Sequence, residues 1–465
     1  MITYLRRRWR ADGGYREFLQ LAFPLILSTA SWSIQHFINR IFLTWHSTEA
    51  LAAALPAGMA SFAFISLFMG IAGYANTFVA QYIGARRPAR VGPAVWQAIY
   101  LALASGVLAF VPAALAQPLF DLIGHEPAVR REEIDYFRIL CYGTGPQILS
   151  TAISSFFSGR GQTWTVLAVN VISIGLNIVA DYVLIFGKFG APAMGIRGAA
   201  WATNLALVVA ALLFLAFFLS AENRREFATL SGWRPNRELF ARLLRFGGPN
   251  GLNFMLDMLA FALFLLVVGK LGTVEMAATN LAFNINSLAF MPLIGGGIAL
   301  STMVGQRLGR AAPEEAEYCT WSGFHLALGY MGTMALGYLL VPDFFLVPFG
   351  LRAHTEDFLV ARDLASQLLR IVAVYCVFDA CYMVFTAALK GAGDTRYIMW
   401  LSVALAWTLM VLPSWIGLTW FGVGLFGLWG FICAYVIVMG LVFFLRFRTG
   451  RWKTMRVIED QPPVD

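Results

Sequence analysis

Residues 205–219 read LALVVAALLFLAFFL, a run without one polar side chain. Wound as a helix it is apolar on every face, the pattern of a segment surrounded by lipid or buried protein; a half-buried strand would alternate instead. Extended to 197–220 it reaches the about 20 residues that a helix needs to cross a bilayer's hydrocarbon core. Eleven further runs have the same character, at about 18–44, 50–83, 94–118, 136–157, 165–187, 243–269, 277–304, 318–341, 364–388, 397–418 and 424–446. The surrounding composition agrees, because 59% of the 465 residues are hydrophobic and only 13% are charged. Soluble domains carry about 25% charged residues, so a soluble enzyme is excluded. The 39 Phe and 14 Trp exclude a disordered chain. A transmembrane barrel would show short alternating segments. The expected fold is an all-α membrane protein of twelve transmembrane helices.

The net charge of +8 sits between the apolar runs. With both termini inside, 24 Lys and Arg fall on the inner side and 9 on the outer, with Arg40 inside the first run. The positive-inside rule accounts for this distribution, and no folded basic module is left for nucleic acid. The expected locale is the inner or plasma membrane of the cell, with membrane lipid as the immediate partner. The five cysteines lie in or beside apolar runs and read as reduced core residues. At about 27 residues the first run is longer than a signal-peptide core, so it is expected to be a retained helix.

Sliding the chain against itself by 225 positions gives a gapless match. Pro24 falls on Pro249, Thr48 on Thr273, Gly70 on Gly295, Thr77 on Thr302, Gln81 on Gln306, Gly84 on Gly309 and Pro88 on Pro313. An offset of 232 places Ser158–Thr163 on Lys390–Thr395. The runs therefore form two homologous six-helix bundles, and because six is even the repeat is parallel. The expected boundaries are an inner N-terminal segment at 1–17, an N-lobe at 18–220, a linker at 221–242, a C-lobe at 243–446 and an inner tail at 447–465. Two bundles able to rock about a mid-membrane site are the architecture of a secondary transporter. No phosphate-loop motif G-x-x-x-x-G-K-[ST] occurs, so the energy is expected from an ion gradient and not from ATP.

Asp181, Asp257 and Asp379 fall inside apolar runs. A carboxylate in mid-membrane costs a few kcal/mol and usually faces a cavity or a partner. Asp379 follows Tyr375 by four residues and Asp257 follows Asn253 by four, so each pair shares a helix face. Asn280, Asn284 and Ser287 form a stripe on the eighth run, with Phe290 beyond it. Two acids brought together cannot both stay ionised cheaply, so the pair would take up a proton or a small hard cation. The plainer reading of the Asn and Ser residues is hydrogen bonding between helices. In the first half, Asn177 and Asp181 share a face, with Thr203 on the next run and Gln35, His36, Asn39 and Arg40 on the first. Arg40 either neutralises Asp181 or extends outward. Gly295–Gly297 reads as a close-packing stretch or as an unwound, ion-binding one. No His/Asp or metal-ligand cluster supports a membrane-embedded enzyme.

The passages VAQYIG at 79–84, NIVADYVLIFG at 177–187, GAAWAT at 198–203, VGQRLG at 304–309 and LKGAGDTR at 389–396 resemble the multidrug and toxic compound extrusion (MATE) transporters, and in particular their NorM-like branch. The resemblance runs from Phe23–Pro24 to the last helix. It implies a V-shaped pair of lobes, a functional monomer without cofactor, and efflux of organic, commonly cationic drug-like compounds in exchange for Na+ or H+. The family's C-lobe cation site matches Asp257, Asp379, Tyr375 and Phe290, to which the residue pattern adds Asn253 and Asn284, and Asp257 and Asp379 are the ligands a Na+ ion would take. NorM-like members generally carry Glu where this chain has Asp257. The N-lobe site of other members matches Asn39, Asn177, Asp181 and Thr203, but Asn39 stands where many have an acid, so coupling is expected through the C-lobe. The alternative within the superfamily, a flippase for a lipid-linked or oligosaccharide substrate, calls for a broad cationic cavity. Intramembrane bases are scarce here, limited to Arg40 and, near helix ends, Arg138 and Arg370.

Overall fold

The computed structural model describes residues 2–350 and 356–459, and every regular element within them is helical. The first half contains α1 (Ile2–Arg10), α2 (Tyr15–His46), α3 (Thr48–Gly73), α4 (Ala75–Gly84), α5 (Val91–Leu108), α6 (Phe110–Ala114), α7 (Ala116–Ile123), α8 (Pro127–Tyr142), α9 (Thr144–Gly159), α10 (Thr163–Phe186) and α11 (Ile196–Phe218). A connecting helix, α12 (Ala221–Phe227), leads to α13 (Arg237–Gly269), α14 (Thr273–Gly309), α15 (Pro313–Leu340), α16 (Pro342–Gly350), α17 (Glu356–Ala392), α18 (Thr395–Leu405), α19 (Leu412–Phe421) and α20 (Leu425–Arg448).

The twelve apolar runs fold as helices, several of them interrupted by a single residue, as at Tyr74, Ala109 and Gly143. Among the described residues ten helical segments are long and apolar enough to span a membrane, and an eleventh forms if Pro313–Leu340 and Pro342–Phe349, bent by 81°, count as one. The bend follows from Pro342: the residue before a proline is pushed out of the α region, and Val341 sits at φ −137°. The run at 136–157 is interrupted at Gly143, between α8 and α9 of 16 residues each, with Gly143 itself in the α region at φ −77°. A Cβ at Gly143 would lie 2.1 Å from Asn204 Oδ1, and the Asn204 amide donates to the Ile139 carbonyl at 2.5 Å. The side chain from α11 thus occupies the place a larger residue would need. Between α18 and α19, Ala406–Val411 is π-helical, which re-registers the hydrogen-bond ladder just ahead of Pro413, a residue without an N–H.

The chain divides into two compact units. The C unit contains the chain up to Ile26 and Leu256–Arg456, while the N unit contains Leu27–Met255 and the chain from Val457. α2 and α13 therefore each change unit part-way along. In the N unit a Cβ on Gly70 would lie 2.6 Å from Gly251 Cα; in the C unit a Cβ on Gly295 would lie 2.6 Å from the Ile26 nitrogen. Gly70 and Gly295 are 225 positions apart, and so are Ile26 and Gly251. The duplicated sequence makes one duplicated backbone contact in each unit, and both demand a glycine.

The C unit's core is built on Phe264, Tyr338, Leu368, Val372, Cys376 and Trp429, and the N unit has a core around Leu43, Ala53, Phe120, Phe137, Ile185 and Ile196. Ring contacts tighten both, as in the stacked pair Phe283–Trp429 with centroids 4.7 Å apart. The five cysteines are unbridged, as their positions predict.

Each unit also closes one end with ionic contacts. In the C unit, Arg307, only 4% exposed, places Nη2 2.7 and 2.8 Å from the two Glu17 oxygens, and the Gly13 N–H donates to Glu17 Oε2 at 2.6 Å. In the N unit the carboxylate belongs to Glu459, which accepts from the Tyr82 hydroxyl at 2.6 Å and from Arg90 Nε at 2.8 Å. Val457 N–H donates to Gln81 Oε1 at 2.9 Å, and Arg242 donates to the Val457 carbonyl at 3.3 Å. Val457 and Ile458 are buried.

Candidate functional site

Asp379 and Tyr375 project from one face of α17, four residues apart, and both are buried in the C unit. The helix that carries them lies between α14, α15 and α20, so the carboxylate is held among helices and not toward lipid. Asp257, on α13, is half-buried. The charges of Asp257 and Asp379 both act on Tyr382 and Tyr435, and that of Asp379 also acts on Tyr375. The same two phenols, supplied by α17 and α20, thus lie within electrostatic reach of both acids. The Lys390 ammonium at the end of α17 interacts with the Asp257 charge. Tyr375, Asp379, Tyr382, Thr386 and Lys390 fall on one stripe of α17 by helical spacing, which lays a polar track from the buried acid to the helix end.

The other C-unit candidates part company. Phe290 packs against the core cluster that contains Tyr375. Asn284 is exposed and its amide donates to the Asn280 carbonyl at 2.7 Å, back onto its own helix. Ser287 is exposed as well. Asn253 is buried but belongs to the N unit. Gly295–Gly297 stays inside the continuous helix α14, where Gly295 serves the close approach to Ile26. The close-packing reading of those glycines is the one the structure supports.

The N unit gathers its polar group more tightly. Asn177 and Asp181 on α10 are fully buried and Asn39 on α2 is nearly so. In the amide orientation that satisfies both ends, Asn177 Nδ2 donates to Asp181 Oδ2 at 3.1 Å and lies 2.9 Å from the Gln35 amide, while its Oδ1 accepts from the Thr203 N–H at 3.2 Å. Tyr136 on α8 hydrogen-bonds the Asn39 side chain and lies within reach of the Asp181 charge. Among the described residues, Asp181 Oδ1 and Asn39 Oδ1 are buried without a hydrogen-bond partner. Two such acceptor oxygens in a buried cluster suit a proton or a small cation, since leaving buried acceptors unmet costs about 1–3 kcal/mol each. Arg40 is exposed and among the described residues makes no ion pair with Asp181. His36 is also exposed.

Sequence reasoning missed Tyr382, Tyr435, Lys390 and Tyr136. Tyr382 carried a usable signal, three residues after Asp379 on the same helix face. Lys390 carried the same periodic signal, eleven residues on. Tyr435 and Tyr136 reach their clusters through packing of distant helices, which no local spacing announces.

Comparison with known proteins agrees with these features. The sequence model of the family described as MatE matches residues 24–183 and 249–416. A protein of Brucella suis biovar 1 named "Probable multidrug resistance protein NorM" is 28% identical over 440 residues, 92% of each chain. One of the same name from Xanthomonas campestris pv. campestris is 30% identical over 84% of each chain. In fold, the structure titled "Crystal structure of MATE in complex with MaL6" superposes with a TM-score of 0.86 at 22% identity, over 97% of this chain and 99% of that one. A MOP superfamily transporter from Pyrococcus furiosus superposes with a TM-score of 0.85 at 23% identity, over 97% and 98%. With two family segments covering both halves of the repeat, this chain belongs to the MatE family of multi-pass membrane transporters.

Proposed function

We propose that the chain is a secondary active multidrug efflux antiporter of the cell membrane, with both termini cytoplasmic, exporting organic cationic compounds in exchange for Na+ or H+. The observation that carries this reading is the pair Asp257 and Asp379, acids within membrane-spanning helices of the same compact unit, with Asp379 buried beside Tyr375 on one helix face. Acids so placed persist in a membrane protein when a proton or cation neutralises them during the working cycle. The coupling ion and the organic cation then prefer different states of the transporter, because a ligand with equal affinity for both states shifts nothing. Entry of the ion from outside favours release of the drug outward. Rebinding of drug from inside requires the ion to have left.

The names of the relatives support drug efflux, and the C-unit acids support coupling. The test is efflux of a fluorescent organic cation from proteoliposomes under separately imposed Na+ and proton gradients. Asp257→Asn and Asp379→Asn are expected to lower gradient-driven efflux at least tenfold while folded protein persists. Full efflux in both variants removes the C-unit site. Asp181→Asn tests the N-unit cluster the same way, and a loss confined to that variant moves coupling to α10.

A further inference from the structure

α1 is a short helix of sequence ITYLRRRWR, and its rotation is fixed by one buried arginine. Arg8 is 6% exposed. Its Nε donates to Ser322 Oγ at 3.1 Å, its Nη2 donates to the Tyr318 carbonyl at 2.9 Å, and its guanidinium stacks 4.2 Å from the Tyr318 ring centroid. The link to α2 is equally tight: Gly13 has φ +73°, and a Cβ at Gly14 would lie 2.0 Å from the Arg8 carbonyl. α1 is therefore held against the start of α15 in a single orientation, within the C unit.

At about 100° per residue, pinning Arg8 sends Arg6 and Arg10 to the opposite face, each about 160° away, with Trp9 on one flank and Arg7 on the other. Arg6, Arg7, Trp9 and Arg10 are all exposed, Trp9 by 47%. The two flanks differ. Arg7 lines a recess of about 500 Å³ together with Arg8, Asp12, Glu314, Glu315 and Tyr318, so acidic groups share its surroundings. Lys453 already engages Glu314 at 2.9 Å. Arg6 and Arg10 do not line that recess; they lie one helical turn apart beside an exposed indole.

We propose that Arg6 and Arg10, flanked by Trp9, hold the phosphate of an anionic phospholipid headgroup from the leaflet on the side of the chain termini. Two guanidinium forks one turn apart match a phosphodiester's oxygens bidentately, where a point charge would not. α1 adjoins membrane-spanning segments, because four residues separate it from α2, a candidate membrane span, and Arg8 ties it to the first turns of α15. Trp prefers that same boundary, and basic residues beside a membrane span are drawn to anionic lipid. A soluble anion would have the two arginines without the indole's contribution.

Native mass spectrometry of the purified full chain, in detergent doped with phosphatidylglycerol or with phosphatidylcholine, tests this. The unaltered chain is expected to retain at least one phosphatidylglycerol that Arg6→Gln/Arg10→Gln loses, with about a tenfold weaker apparent affinity, and to show no such preference for phosphatidylcholine. Arg6→Lys/Arg10→Lys is expected to recover part of the retention, which separates lost binding from lost folding. Arg7→Gln is expected to leave retention unchanged, and millimolar inorganic phosphate is expected not to displace the lipid. Equal retention in Arg6→Gln/Arg10→Gln, an equal loss in Arg7→Gln, or displacement by phosphate alone each overturns the proposal.

Discussion

In the C unit, Glu17 at the start of α2 meets Arg307 near the end of α14. The N unit has the same duplicated helices, but the positions 225 residues away hold Arg242 in place of Glu17 and Tyr82 in place of Arg307. The base now sits where the acid was, and the carboxylate arrives from Glu459, 369 residues after the Arg90 it bonds. Both ends are closed by a carboxylate among buried polar groups, yet one closure is built from paired helices and the other from a docked segment of irregular chain. Duplication preserved the geometry of the closure while its charges were supplied from different parts of the chain. A helix pair carries its closure wherever the helices go; a tail contact can be undone without unfolding a helix.

The largest effect separating the units is expected at the duplicated backbone contact. A Cβ at Gly251 would lie 2.2 Å from the Leu67 carbonyl, so Gly251→Leu should cost the N unit about 3 kcal/mol, the upper end for overpacking, and strongly reduce folded protein in size-exclusion profiles. Ile26→Leu at the equivalent place in the C unit keeps volume and should cost less than about 1.5 kcal/mol. Equal tolerance of both would undo the claim that position 251 leaves no room for a side chain.

Next comes Arg307→Ala, which strips the buried partner from Glu17 and should lower stability by about 1–3 kcal/mol, read as a fall in melting temperature. Glu459→Gln, or a chain ended after Arg456, should cost less, about 1 kcal/mol, because the latch is partly exposed. Burial alone would raise the Glu459 carboxyl, but the Tyr82 hydroxyl, a backbone N–H and Arg90 outweigh it and hold the group below its ordinary value. A depressed folded value means the contribution is fully present above the ordinary glutamate value of 4.5 and fades as pH falls through the lowered one. The gap in melting temperature between the full and shortened chains should therefore hold from pH 7 to pH 5 and narrow below about pH 4.5. A gap that closes at neutral pH would show that the carboxylate does not hold the tail.

The smallest effect is expected from Lys453→Ala. Lys453 bridges Glu314 and Glu317 at 2.9 and 2.5 Å, but Glu314 is 80% exposed. Such pairs contribute about 0.2–1 kcal/mol and weaken with salt, so the variant should be nearly silent at high ionic strength.

Much of the candidate site could be read in advance. Asp379 and Tyr375 share a face because four residues complete about one helical turn, and Asn177 with Asp181 follows the same rule. Asn284 obeyed the rule too and is nonetheless exposed, bonded to its own helix. Periodicity says which residues share a face but not which way the face turns. Tyr435 and Tyr136 were out of reach because the helices that deliver them are distant in sequence from the acids they approach.

Composition and periodicity were sufficient for the lipid environment, the helical class, the duplication and the three intramembrane acids. Those properties depend on quantities the chain expresses locally: hydrocarbon thickness against run length, 3.6 residues per turn, and the cost of a charge away from water. Other outcomes had to await packing: the break at Gly143, the place where α2 and α13 change unit, the phenols around Asp257 and Asp379, and the tail carboxylate that stands in for a helix acid. Each depends on which side chain from a remote segment fills a gap a few ångströms wide, and a linear order of residues holds no record of that until the helices meet.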